Sequence, residues 1–226
     1  MTKKIVEIAI MAWPVCYERL AYLCETIDAL KSNLTGECEF RWSCNAESSP
    51  QGELWFGNEL EEISIIAGLQ LTWRKGLPDL GSNINETFRR STSDYIFLCQ
   101  EDRVLNKPLD LTNSVELLEK YPKIAAVWYD WLPPGNSSWG KIGEFWLNSP
   151  TSIWLIADRE MLIRRSFTRR FGLWLEGKPL GIAEMEMNRR MKRFCTTVAH
   201  PKEVYFDHRG DVGTIPRIQE ELYHVG

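Results

Sequence analysis

The chain has 226 residues, 44% of them apolar and 26% charged, with 27 Lys+Arg against 31 Asp+Glu and a formal net charge of -4. A chain this long buries roughly 70–75% of its extended surface, enough for one large domain or two small ones. The mild acidity excludes a protein built mainly on a basic face that grips nucleic-acid backbone. Six cysteines, at positions 16, 24, 38, 44, 99 and 195, form no C-x-x-C pair and have no histidine at zinc-site spacing. They read as reduced core thiols of a cytoplasmic protein.

The opening KKIVEIAIMAWPVC places Glu7 inside a short apolar run, which predicts a first strand over 5–12 rather than a signal peptide. Leu20, Leu23, Ile27 and Leu30 then recur at helical spacing and predict a helix over 17–33. A strand over 39–45, a helix over 59–68 ending at Gly68 and a strand over 69–73 follow. GSNINETFRRS (81–91) opens a third helix that leads into the strand YIFLCQ. A helix over 112–120, stopped by Pro122, and a strand over 124–131 come next. Residues 132–151 mix Pro, Gly, Ser and aromatic residues with little periodicity and read as a long functional loop. Beyond it we expect a strand over 152–157, a helix containing DREMLIRRSF (158–167), the helix IAEMEMNRRMKRF (182–194), and a last strand near EVYF (203–206). No run approaches the about 18–20 uninterrupted apolar residues of a membrane span.

Strands alternating with helices of this length imply a doubly wound, mostly parallel sheet flanked by helices, with ligands bound beyond the carboxyl ends of the strands. Trp13, Asn45, Glu47 and the adjacent acids Glu101 and Asp102 fall at that edge. Charges at the edge of a core need pairing, water or a cation, so the acidic pair marks a candidate site.

The order of these segments resembles a GT-A glycosyltransferase, most similar to the inverting glycosyltransferase family 2, over about residues 5–210. WPVCYERLAYLCETIDAL resembles the family's opening loop and helix. SCNAES resembles the second strand end that contacts the nucleotide base. TSDYIFLCQEDRVL resembles the strand leading into the acidic D-x-D motif, with Gln100 at the first acidic position and Asp102 at the second. An alternative register pairs Glu101 with Asp102 and puts Arg103 where an acid is expected. GIAEMEMNRRM resembles the segment that carries the catalytic acid, with Ala183 in place of the first acid, Glu184 at the catalytic position and Arg190 at the arginine. YFDHRGDVGT resembles the segment in which a histidine completes the metal or diphosphate site.

The resemblance implies one GT-A-like domain, with a nucleotide-sugar-binding half (1–131) and an acceptor-binding and catalytic-base half (132–226). It implies an inverting transfer from a nucleotide sugar, a UDP-sugar first, to a hydroxyl of a saccharide, lipid or other glycan precursor. Glu184 would be the general base, and Asp102 and His208 would hold Mn2+ or Mg2+. Trp13, Asn45, Glu47, Arg74, Asn85, Glu101 and Arg209 would contact the donor, and Trp139 and Trp146 the acceptor. A cation suits this chemistry because the leaving nucleoside diphosphate gains negative charge, and a base must take the acceptor's proton. Two alternatives share the fold. One is a non-catalytic nucleotide-sugar-binding protein. The other, less favoured, is a transferase acting on a modified DNA base, with RRSFTRR (164–170) following the phosphates.

Overall fold

The computed structural model describes residues 3–48, 50–75, 79–129, 138–152, 155–156, 160–178 and 181–209. β1 (Lys4–Ala12) is an apolar run buried along most of its length, the signature of a strand covered on both faces. It feeds α1 (Tyr17–Asn33), whose buried residues Arg19, Leu20, Leu23, Thr26, Ile27 and Leu30 form one stripe at helical spacing. Next come β2 (Leu34–Thr35), β3 (Cys38–Ser48), α2 (Pro50–Ala67) and β4 (Gln70–Lys75). α2 starts nine residues before the expected position: PQGELWFGN reads as a loop in sequence, yet proline is well tolerated in a first helical turn. α3 (Leu80–Arg90) and β5 (Tyr95–Gln100) follow, then β6 (Arg103–Leu105), β7 (Leu109–Asp110), α4 (Thr112–Lys120) and β8 (Ile124–Trp128).

The second half departs further from expectation. Within the expected loop 132–151, β9 (Ser138–Ile142) and β10 (Phe145–Asn148) form an antiparallel hairpin. Ile142 pairs with Phe145, so the turn holds two residues, and Gly143 supplies the positive φ of 57° that such turns require. Residues 130–137 lie outside the described residues. Of the expected strand over 152–157, the described residues Ser152, Leu155 and Ile156 are not in a strand. The expected helix over 158–167 is instead β11 (Met161–Arg164), inserted antiparallel between β5 and β8. α5 (Phe167–Phe171), α6 (Ile182–Arg193), β12 (Thr197–His200) and β13 (Phe206–His208) complete the described chain. β12 was not foreseen, and the last strand lies slightly beyond its expected position.

Nine strands form one sheet in the order β4-β3-β1-β5-β11-β8-β12-β10-β9. β4, β3, β1 and β5 pair in parallel, as do β8 and β12. Taken with the antiparallel pairs, only β11 and β10 oppose the common direction. Val6, Ile8 and Ile10 of β1 pack on one face with Leu20, Leu23, Leu60 and Leu118 from α1, α2 and α4. Ala9 and Met11 pack on the other with Ile84, Phe167, Phe171, Met187 and Met191 from α3, α5 and α6. The result is the expected doubly wound, mostly parallel sheet flanked by helices, in three layers. The six cysteines are all free; Cys38, Cys44 and Cys99 lie in the core as expected, but Cys16 and Cys24 are half-buried and Cys195 is exposed. Among the described residues no helix is long and apolar enough to cross a membrane.

Candidate functional site

The shared direction of β4, β3, β1 and β5 brings their carboxyl ends to one edge, where Met11 lies between Asn45 and Gln100 and Glu47 lies opposite Arg74. β5 ends there, and the chain turns through Glu101 and Asp102 into β6. Both acids are nearly inaccessible, at 6% and 4% exposure. Their partner is Arg19 of α1, itself 5% exposed, whose Nη1 donates to Glu101 Oε1 at 2.9 Å and to Asp102 Oδ2 at 2.8 Å. Thr26, two turns further along α1, donates its hydroxyl to the Glu101 carbonyl at 2.7 Å. The acidic turn is thus clamped to α1 by one side chain on its carboxylates and another on its backbone.

Burial pushes the Glu101 carboxyl upward; Arg19 pulls it down, and the neighbouring Asp102 adds to the rise. Burial alone would lower the Arg19 guanidinium, but Glu101 and Asp102 outweigh it and raise it.

His208 arrives from the far end of the chain on β13, which pairs antiparallel with β6 so that His208 lies opposite Arg103. Its Nε2 is 3.1 Å from Asp102 Oδ2. Arg209 donates its backbone N–H to the Asp102 carbonyl at 2.9 Å, while its guanidinium holds Glu25 of α1 at 2.9 and 3.1 Å. Asp102 Oδ1 is buried and has no hydrogen-bond partner among the described residues.

These atoms suit a divalent cation as a two-ligand site. A carboxylate and an imidazole are ligand types such an ion accepts, and Asp102 Oδ1 is the oxygen left for it, since Oδ2 already holds Arg19 and His208. Among the described residues no group of three or more His, Cys, Asp or Glu is arranged to hold a metal. The other positions would therefore fall to phosphate and water, as is usual for these ions.

Asn45, Glu47 and Arg74 sit on the opposite face of the sheet, against α3 and the segment that leads into it. Glu47 pairs with Arg74 and accepts the Asp79 backbone N–H at 3.0 Å. Burial raises the Glu47 carboxyl, with Arg74 partly offsetting it. Asn45 donates to Thr87 Oγ1 and accepts from the Asn83 amide at its carbonyl, 3.3 Å away, leaving Oδ1 buried without a partner among the described residues. Trp13 is half-buried directly after β1, and a backbone N–H of Trp13 favours the charged form of Glu101.

Asn85 has a different setting from the one expected. It lies within α3 and is fully buried. Its amide donates to the Trp174 carbonyl at 2.9 Å and to Glu176 Oε1 at 2.8 Å, and its Oδ1 accepts from Trp174 N at 2.8 Å. Gly81, one turn earlier, is crossed so closely by this segment that a Cβ there would sit 2.0 Å from the Leu175 carbonyl oxygen. Asp79 completes the seam by accepting the Gly177 N–H at 2.6 Å. Asn85 fastens the wall of the site, so the structure directs its polar atoms to protein rather than to a nucleotide.

Glu184 lies in the first turn of α6 and is 5% exposed. One turn on, Asn188 donates to the Glu184 and Ile156 carbonyls at 2.8 and 2.6 Å and accepts the Ile156 N–H at 2.8 Å. Arg190 grips the Phe171 and Leu173 carbonyls at 2.7 and 2.8 Å. α6 is thereby fixed on two sides, giving Glu184 a rigid mount. Trp146 lies on β10, half-buried, with Lys141 Nζ 5.3 Å above its ring. Trp139 belongs to β9, but its side chain lies outside the described residues. Within RRSFTRR, Arg164 donates to the Ile124 and Tyr121 carbonyls and Arg170 to that of Pro122. Arg165 and Arg169 remain exposed.

Arg19, Thr26 and Asp79 were not foreseen as parts of the site. Arg19 did carry a signal: it falls in phase with the apolar stripe of α1, and an arginine on a buried face requires a buried acid.

No family model and no curated protein sequence matches the chain. Solved structures do. S. aureus TarS 1-349 in complex with UDP-GlcNAc superposes with a TM-score of 0.63 at 10% identity, over 93% of this chain and 60% of that one. The complex of the same protein with UDP gives 0.58 at 8% identity, over 96% and 63%. GalNAc-T7 with UDP, GalNAc and Mn2+ gives 0.61 at 12% identity, over 88% and 42%. The chain thus spans about 60% of the TarS fragment and less than half of GalNAc-T7. At these identities the likeness is one of fold, and the fold is that of GT-A glycosyltransferases.

Proposed function

We propose that the chain is a glycosyltransferase that moves a sugar from a nucleotide donor, a UDP-sugar first, to an acceptor hydroxyl with inversion. The observation that carries the reading is the meeting of Asp102 and His208 at the carboxyl edge of the sheet, in a fold whose solved neighbours hold UDP and UDP-GlcNAc. Residues 1–131 would supply the nucleotide side and residues 132–226 the acceptor side.

In this reading Trp13, Asn45, Glu47 and Arg74 receive the base and ribose. Asn85 acts at one remove, by holding the 174–177 segment against α3. Asp102 and His208 would hold the cation, Glu101 is the acid that keeps Arg19 in place, and Arg209 stands beside them as a phosphate donor group once it leaves Glu25. A bound divalent cation supplies charge stabilisation to the departing diphosphate. Glu184 takes the proton of the acceptor hydroxyl as it attacks the anomeric carbon from the face opposite the diphosphate. Trp146 offers an aromatic face to the acceptor.

The test is a thermal-shift and calorimetry screen of UDP, GDP, CMP and dTDP conjugates with and without Mn2+, followed by transfer assays with UDP-GlcNAc and UDP-GalNAc. A donor at about 100 times its Kd stabilises the fold by roughly 2.7 kcal/mol. Binding followed by transfer supports the reading, and binding without transfer to any saccharide, lipid or DNA acceptor supports the non-catalytic alternative. Silence with every nucleotide sinks it.

A further inference from the structure

The acidic turn expected to receive a cation already holds one, the guanidinium of Arg19. Its Nη1 reaches Glu101 and Asp102 at 2.9 and 2.8 Å. The other cations nearby have acids of their own: Arg209 is on Glu25 at 2.9 Å, and Arg103 lies 3.7 Å from Glu160. Two carboxylates and one guanidinium leave one net negative charge, carried toward His208 by Asp102. A guanidinium does not deprotonate in proteins, so its repulsion of a second cation is permanent, and low exposure leaves little water to screen it. A bare divalent ion therefore meets one free carboxylate oxygen, Asp102 Oδ1, one imidazole and a fixed positive charge. The same ion carrying a diphosphate brings its own oxygen ligands and its own negative charge.

We propose that Arg19 is a positioning residue that makes cation binding conditional on the nucleotide. It halves the charge of the acidic pair, so that Mn2+ or Mg2+ enters with the diphosphate rather than before it. The inference rests on the nucleotide-sugar reading above and adds an order of binding to it.

The experiment is titration of the protein with MnCl2, with free Mn2+ read by electron paramagnetic resonance, in the absence and presence of saturating UDP. Wild type binds Mn2+ at least tenfold more tightly with UDP than without. Arg19→Gln narrows that gap below threefold by tightening binding of Mn2+ alone, whereas Arg19→Lys, which keeps the charge, retains the gap. Arg19→Gln leaves two buried carboxylates unpaired, so its fold is checked by circular dichroism. Arg19→Gln/Glu101→Gln, which restores the single net negative charge, carries the test if the single variant does not fold and returns the wild-type gap. Equal Mn2+ affinity with and without UDP in wild type overturns the inference, as does a folded Arg19→Gln that keeps the gap or a double variant that loses it. Failure of UDP, GDP and dTDP to bind under any condition overturns the donor-site reading itself. UDP binding with no Mn2+ coupling overturns only the order of binding.

Discussion

His208 Nε2 lies 3.1 Å from Asp102 Oδ2 across 106 positions of sequence, held there by the pairing of β13 with β6. The contact joins the turn after a central strand to the last described strand, so any ligand of one residue is also within reach of the other. If the pair holds a cation with a nucleotide, each residue supplies a separable part of the affinity. We expect Asp102→Asn to weaken Mn2+-dependent UDP binding about 100-fold, or about 2.8 kcal/mol, and His208→Ala at least about tenfold, or about 1.4 kcal/mol. Calorimetry on folded variants checks this, and unchanged affinity in both would remove the pair from the donor site.

Glu184 sits on α6, which packs on the face of the sheet opposite α1 and is anchored by Asn188 and Arg190, and it makes none of the Asp102–His208 contacts. Its role as base can therefore be isolated from donor binding. Glu184→Gln preserves shape and removes the proton acceptor, so kcat should fall roughly 10²–10⁴-fold while UDP affinity stays within about twofold, or about 0.4 kcal/mol. Initial-rate kinetics beside calorimetry distinguish this from a packing defect, in which both quantities would change.

Much of this arrangement is legible in the residues themselves. The helix over 112–120 appears at its expected bounds, because Thr112–Lys120 has a buried face of Val115, Leu117 and Leu118 and a proline just beyond it. β11 was not legible: Met161–Arg164 is too short to show a period, and its strand state comes from hydrogen bonds to β5 and β8, partners remote in sequence. The candidate site divides the same way. Asp102, His208 and Glu184 carry chemistry in their residue types and neighbouring motifs. Asn85 reads equally well as a donor ligand or a fastener, and only the path of 174–177 across α3 decides its partners.

That path makes Asn85 a stability determinant. Removing its amide strips hydrogen bonds from the buried Trp174 backbone in one step, and buried groups left unsatisfied cost about 1–3 kcal/mol. Asn85→Ala should lower the melting temperature by roughly 4–12 °C, corresponding to about 2–3 kcal/mol for a chain of this size. Differential scanning calorimetry measures the shift; a change under about 1 °C would mean that the seam contributes little to the fold.

The cysteines report on the same layers without any ligand. Cys195 is exposed in the turn after α6, whereas Cys44 is fully buried, and burial pushes its thiol up to about 12. Cys99 is raised well above its usual range, also by burial, and Cys38 to about 11. The thiolate is the reactive form, so at pH 8 the core thiols are both protonated and inaccessible. Iodoacetamide should therefore label Cys195 in the native protein at least tenfold faster than Cys38, Cys44 or Cys99, with the three core sites reacting at comparable rates only in denaturant. Raising the pH to 9 should leave Cys44 and Cys99 silent, because access as well as ionisation limits them. Peptide mass spectrometry reads each site separately, and native labelling of Cys99 would mean that β5, the strand that delivers the acidic turn, opens to solvent.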